Sequence, residues 1–156
     1  MWDNLIEQIN IEREQLNLLL SSYHLLVEKC MEEEPDSIEI LAVSALLNSY
    51  YSGIENIFKR IAKEIDGFLP QGATWHRDLL DQMSISNSQR TSVISKMMRE
   101  HLIDYLHFRH VFRQAYSFQL QWRKILPLVK ELKETWRGLE LELDAFVKSI
   151  ENKDNY

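Results

Sequence analysis

The chain has 156 residues, of which 45% are hydrophobic and only four are Gly and three Pro, and its formal net charge is −6 at pH 7. This length fits one domain with a substantial core, and the scarcity of turn residues argues against a β-rich or disordered protein. Without a long apolar run or a basic N-terminal leader we expect a cytoplasmic protein outside the membrane, and the acidic balance argues against unfocused nucleic-acid binding.

Apolar residues at helical spacing predict a first helix over residues 3–31. Proline disfavours helical geometry in the residue before it, so Pro35 and the acidic residues ahead of it end this helix. Cys30 is the single cysteine, which excludes an intrachain disulfide. Its place at the end of an apolar pattern predicts a small buried side chain rather than a nucleophile.

A second helix is predicted from Asp36 or Ser37 to about Asp66, with Gly67 as its C-terminal stop. Its apolar stripe is strong over the whole length. Small residues, among them Gly53, are interleaved with the stripe and would let another helix approach closely. This helix is therefore expected to contribute heavily to the core.

Two further helices follow. Thr74 is predicted to cap a short helix over residues 75–83, in which His76 is interpreted as a capping or packing residue. Ser95 is predicted to cap a long helix that gives way near residue 117.

A last helix is predicted to start near Trp122 or Pro127 and to end at residue 150. Residues 151–156 are polar and are expected to form a frayed tail. No segment alternates long enough to suggest a strand. The sequence thus predicts one all-α domain over residues 1–150, an up-and-down bundle of four to five helices.

The predicted long helix carries a local excess of positive charge. Residues 96–124 hold six basic and two acidic residues, whereas residues 1–95 hold seven and fifteen. His101, His107 and His110 lie in the same basic segment. Such a segment inside an acidic chain is typical of a site for an anionic ligand, and the alternative is an ordinary solvated helix face.

The helical register divides the candidate residues of this segment between two lines. A turn of about 100° per residue places Arg109, Arg113 and Tyr116 near one line. Gln114 lies about 140° away from Arg109. A single straight helix does not easily aim both at one ligand, so the pattern predicts either a helix distortion or a two-fold dimer in which two copies of the helix meet.

The segment 108–116 resembles the signature of HEPN-domain ribonuclease toxins of the HepT type. That signature is an Arg, four residues, a His, one residue and a Tyr, often with a polar residue directly after the Arg. Arg109, His110 and Tyr116 match the Arg, the polar residue and the Tyr. Gln114 stands where the family has its catalytic His.

The resemblance implies an endoribonuclease that needs neither metal nor cofactor and in which a ribose 2′-hydroxyl attacks the adjacent phosphate. The motif Arg stabilises phosphoryl charge, and the His moves a proton. Glutamine cannot relay a proton, so activity at Gln114 depends on whether His110 substitutes for the missing imidazole. Arg113, Arg99 and His107 are expected to bind RNA.

Upstream, the stretches 50–58 and 75–80 are similar to the same family, so the resemblance covers most of the chain. It further implies a HEPN-like homodimer and an antitoxin partner, a minimal nucleotidyltransferase that transfers AMP to Tyr116. The alternative is a catalytically degenerate HEPN domain that serves as a binding partner or substrate-binding subunit of a nucleotidyltransferase, with Gln114 marking the lost chemistry.

Overall fold

The computed structural model describes residues 1–153 and contains six α-helices in that range. They are α1 (Asp3–Ser22), α2 (His24–Glu32), α3 (Ser37–Ile61), α4 (Trp75–Met83), α5 (Lys96–Gln114) and α6 (Trp122–Lys153). A π-helical turn over Ala62–Asp66 follows α3, and a 3₁₀ turn over Ser117–Gln119 lies between α5 and α6. The described residues include no strand, and the all-α class is confirmed.

The predicted first helix is two helices, which raises the number above the four to five expected. The break lies at Tyr23, between α1 and α2. The hydroxyls of Ser21 and Ser22 both donate to the carbonyl of Leu18, at 3.0 Å and 2.7 Å. Hydroxyls that bond to a carbonyl of the preceding turn weaken and bend a helix, which explains the break one residue later.

Helix α3 lies at the centre of the core. Twelve of its 25 residues are buried, and α1, α4 and α5 pack against it. The close approach predicted at Gly53 is confirmed: a Cβ added there would lie 2.5 Å from Cδ2 of Leu16 on α1. The apolar stripes predicted for the first, second and last helices also face the core, and Cys30 is buried.

Of the N-caps predicted for α4 and α5 from the sequence, that of Ser95 forms and that of Thr74 does not, while α3 has a cap that was not predicted. Asp36 and Glu39 make a reciprocal capping box, in which each carboxylate accepts a hydrogen bond from the other residue's backbone N–H. The Ser95 hydroxyl accepts a hydrogen bond from an N–H of the first turn of α5. The Thr74 hydroxyl instead donates to the carboxylate of Asp78. No side chain therefore caps the N-terminus of α4.

The last helix starts at Trp122, so Pro127 lies inside it. It also continues through residues 151–153, which the sequence assigned to a frayed tail, while residues 154–156 lie outside the described residues. No helix within residues 1–153 combines the length and the apolar character that crossing a bilayer requires.

A buried ion pair fixes the long connection between α4 and α5. The guanidinium of Arg90, 2% exposed, donates to both carboxylate oxygens of Asp66, at 2.7 Å and 2.8 Å. Burial alone would raise the pKa of Asp66, but hydrogen bonds from Arg90, Gln82 and Asn87 outweigh it and lower the pKa. The π-helical turn thereby holds the connection against the end of α3.

The Asp66→Asn variant is expected to lower the free energy of unfolding by about 2 kcal/mol at neutral pH, because the Arg90 charge loses its carboxylate partner. A lowered native pKa gives stability that is present above the ordinary aspartate pKa of about 3.9 and is lost as the pH falls below it. The deficit of the variant should therefore shrink in acid. Urea unfolding over a series of pH values measures both effects.

The matched control is Asp144→Asn, which removes an ion pair between Arg13 and a half-exposed carboxylate. We expect it to cost less than about 1 kcal/mol. A control as costly as Asp66→Asn, or a deficit that does not depend on pH, would contradict this account of the Asp66 pair.

Candidate functional site

The sequence-predicted basic segment lines one wall of a groove of about 980 Å³. The other wall is the start of α4 together with the two residues before it. We call it the α4–α5 groove. Its cationic and imidazole side chains are Arg77, Arg109, Arg113, His76, His107 and His110, and none of the described residues that line it is acidic. In a chain of net charge −6 this groove is a local concentration of basic side chains, a surface of the kind that attracts anions.

Arg109 is fixed in this groove by the central helix. Its Nε donates a hydrogen bond to Oγ of Ser52 on α3, at 3.1 Å, and its side chain is partly buried. Because Nε is engaged, the two terminal nitrogens of the guanidinium remain for a ligand. Two parallel N–H groups match the geometry of phosphate oxygens.

His76 is held by a buried carboxylate. Glu55 on α3 is 3% exposed, and its Oε2 lies 2.7 Å from Nδ1 of His76. An ionised carboxylate only accepts hydrogen bonds, so Nδ1 carries the hydrogen and Nε2 is left for a ligand. The imidazole also stacks on the Trp75 ring, with centroids 3.7 Å apart. Two contacts thus fix the ring.

Arg109 and His76 are both anchored by side chains of α3. Their anchors, Ser52 and Glu55, are three residues apart on α3, a spacing that puts two side chains next to each other on one face. Burial raises the pKa of the Tyr51 hydroxyl. The negative charge of Glu55 raises this pKa further and the positive charge of Arg109 lowers it, so Glu55 and Arg109 both lie close enough to act on Tyr51. Both the guanidinium and the imidazole line the groove.

His110, Arg113 and Gln114 are exposed residues of α5 that line the groove, as does His107. Arg109 and Gln114 therefore border one groove of a single chain. Neither a distortion of α5 nor a second copy is required for this, because α4 supplies the opposite wall. The predicted dimer stays a prediction.

Arg99 does not line the groove. It lies ten residues before Arg109, about 15 Å along the helix axis. Its guanidinium donates to Asp81 on α4 at 2.7 Å and to Glu100 at 2.8 Å. These carboxylates raise the pKa of Arg99 and engage two of its three guanidinium nitrogens.

The expected helical alignment of Tyr116 with Arg109 is wrong, because α5 ends at Gln114. The Tyr116 N–H donates to the side-chain oxygen of Gln119 at 2.9 Å, which stabilises extended backbone instead of another helical turn. The Tyr116 ring is 71% exposed and stacks in parallel on Phe118. It remains accessible, two residues beyond the groove wall.

Sequence reasoning missed the pair of Glu55 and His76, since His76 was interpreted as a capping or packing residue. One signal was available. Glu55 lies in register with Tyr51 and Phe58 on the apolar face of the second helix, where a charged residue needs a partner. Which residue would be that partner could not be known, because 21 positions separate the two.

Comparisons with known proteins add one positive finding. A family model described as "HepT-like protein" matches residues 42–150, which include most of α3, all of α4 and α5, and every residue that lines the groove. No curated protein and no solved structure matches the chain.

Proposed function

The chain belongs to the HepT-like family, and from this premise we propose that it is an endoribonuclease toxin that cleaves RNA in the α4–α5 groove without a metal or cofactor. The observation that carries the proposal is the immobilised Arg109 in a groove without acidic lining residues. A phosphodiester is the anion that such a site would meet along an RNA strand.

Local charge supports RNA as the ligand. Arg77, Arg109 and Arg113 line the same groove, so consecutive phosphates of a strand could each meet a cation. Binding of this kind depends on the local potential rather than on the net charge of the protein, and it weakens as salt is added. His107 lies along the same path and offers ring N–H groups to sugar or phosphate oxygens.

The proposed reaction is an internal transesterification. The ribose 2′-hydroxyl attacks the adjacent phosphate, and negative charge grows on the phosphoryl oxygens. Arg109 stabilises this charge with its free terminal nitrogens, while Ser52 holds the guanidinium in place. The attacking hydroxyl must lose a proton, and the family's catalytic His is replaced by Gln114.

Gln114 favours a second candidate function. An amide cannot relay a proton near neutral pH, so the chain could be a catalytically degenerate HEPN domain that binds RNA or a nucleotidyltransferase without cleaving anything. Cleavage assays separate the two functions, since both predict binding in the groove and only the first predicts products.

We further propose a homodimer around α5 and a minimal nucleotidyltransferase as antitoxin. Apolar side chains are exposed at the C-terminal end of α5 and just beyond it: Val111 is 53% exposed and Phe118 is 82% exposed. Exposed apolar side chains that cluster next to a site are typical of an interaction surface.

Gln114→His is expected to increase RNA cleavage, because it restores a proton-transfer group. Arg109→Ala in that background should reduce the rate on the order of 10²-fold or more, and chelator should change nothing, since the proposed step uses no metal. A labelled RNA oligonucleotide assay measures all three.

Arg137→Ala serves as the matched control, since Arg137 is an exposed arginine of α6 outside the groove. It should cleave at the parent rate. Equal rates for the parent chain and the Gln114→His variant would contradict the role given to position 114, and the absence of products from both would favour the degenerate domain.

The homodimer is expected at micromolar concentration by analytical ultracentrifugation. Val111→Asp should shift it toward monomer, because a carboxylate would be buried in the interface. Leu25→Asp, at an exposed leucine on α2, should leave the dimer intact. A parent chain that sediments only as a monomer would contradict the proposal.

Tyr116 is the proposed site of AMP transfer by the antitoxin, since its ring is exposed and the segment around it is matched to the family. One AMP adds a negative phosphodiester and a nucleoside close to Arg113, where they would compete with RNA. Mass spectrometry after co-expression with an active nucleotidyltransferase should show added AMP in the parent chain and in Tyr23→Phe, but not in Tyr116→Phe. Modification that persists in Tyr116→Phe would assign it elsewhere.

A further inference from the structure

We infer that His76, oriented by the buried Glu55, is the proton-transfer group of the α4–α5 groove. The inference rests on the proposed ribonuclease function and gives it the residue that Gln114 cannot provide. His76 comes from α4, outside the segment 108–116 in which the catalytic groups were expected.

The first support is the fixed orientation of the ring. Glu55 accepts the Nδ1 hydrogen at 2.7 Å, and Trp75 covers one face of the imidazole. A general base must be aimed at the proton it takes, and a ring held by two contacts loses little entropy when substrate binds. A carboxylate behind an imidazole also stabilises the positive charge that the ring gains with the proton.

The second support is that Glu55 has no ion-pair partner other than His76 among residues 1–153. Its carboxylate is buried, and His76 is its hydrogen-bonding partner among residues 1–153. No lysine or arginine forms an ion pair with it in that range. A buried carboxylate is costly unless it is paired, so Glu55 depends on its hydrogen bond with His76.

The third support is the comparison with His110, the substitute expected from sequence. His110 is exposed on the surface of α5, and no hydrogen bond to a described residue orients its ring. His76 shares the groove with it and has both a partner and a stacking surface. Its guanidinium neighbour Arg109 is anchored one turn away on α3.

The step balances as follows. Nε2 of His76 accepts the proton of the ribose 2′-hydroxyl as the bond between O2′ and phosphorus forms. The bond between phosphorus and O5′ breaks, and O5′ takes a proton from solvent water. The products are a 2′,3′-cyclic phosphate and a 5′-hydroxyl, and the imidazolium returns its proton to the solvent hydroxide. Glu55 is a positioning residue and keeps its charge throughout.

Two substitutions separate catalysis from packing. In His76→Asn the amide nitrogen takes the place of Nδ1 and can still donate to Glu55, but nothing replaces Nε2. In His76→Ala the ring is missing and free imidazole can enter. We expect His76→Asn to cleave RNA about 10²–10⁴-fold more slowly with unchanged RNA affinity and melting temperature, and added imidazole to restore part of the His76→Ala rate.

The matched control is His24→Asn. His24 also faces a carboxylate, Glu28, at 3.1 Å, but both side chains are 59% exposed on α2 and lie outside the groove. This variant should cleave at the parent rate. Glu55→Gln, which can still accept the Nδ1 hydrogen, should lower kcat without weakening RNA binding, a split that loss of packing alone would not produce.

The outcomes are distinct. A parent chain that cleaves RNA, but not RNA with a 2′-deoxy scissile position, supports the proposed function; if His76→Asn then cleaves at the parent rate, the role of His76 is overturned while that function stands. Should His76→Asn fail to fold, the imidazole rescue of His76→Ala decides. If His76→Ala folds and added imidazole does not restore cleavage, the inference is overturned. Absence of cleavage by both the parent and Gln114→His overturns the ribonuclease and the role of His76 together.

Discussion

The burial of α3 is the constraint on which the rest of the structure depends. Five helices, α1, α2, α4, α5 and α6, pack against it, so a polar side chain buried on it is costly unless one of them supplies a partner. The hydroxyls of Ser44 and Tyr50 have no such partner among the described residues. Glu55 finds His76 on α4, and Ser52 finds Arg109 on α5. These two contacts satisfy polar groups of α3, and they also hold α4 and α5, the two helices that form the groove, against the same helix.

Charge is distributed unevenly as a consequence. The groove is lined by arginines and histidines without an acidic residue among the described ones, although the whole chain carries a net charge of −6. Basic residues outside it are engaged differently: Arg90 neutralises Asp66 in the interior, and Arg99 is taken up by Asp81. Arg77, Arg109 and Arg113 in the groove form no ion pair with a carboxylate of the described residues, which leaves their charges for an anionic ligand.

The family signature and the groove carry different information. Arg109 belongs to both, and its anchoring explains how one arginine can be held ready for a phosphate. The signature and the groove differ at position 114, because Gln114 lines the groove but cannot transfer a proton as the family's His does. The imidazole whose orientation is fixed by contacts is that of His76 on α4. A site assembled from three helices can therefore keep a candidate proton-transfer group even where the signature has lost one.

The sequence by itself determined the helical class, the apolar faces, the capping of α5 and the basic segment around Arg109, since each follows from residues close together along the chain. It did not determine the break at Tyr23, the end of α5 at Gln114 or the pairing of Glu55 with His76. The first two depend on side chains that form hydrogen bonds with the backbone near the helix ends. The third depends on a contact between residues far apart in sequence. Only the packed helices decide which donor meets which acceptor, because helical periodicity gives the face of a residue and not the element that covers it.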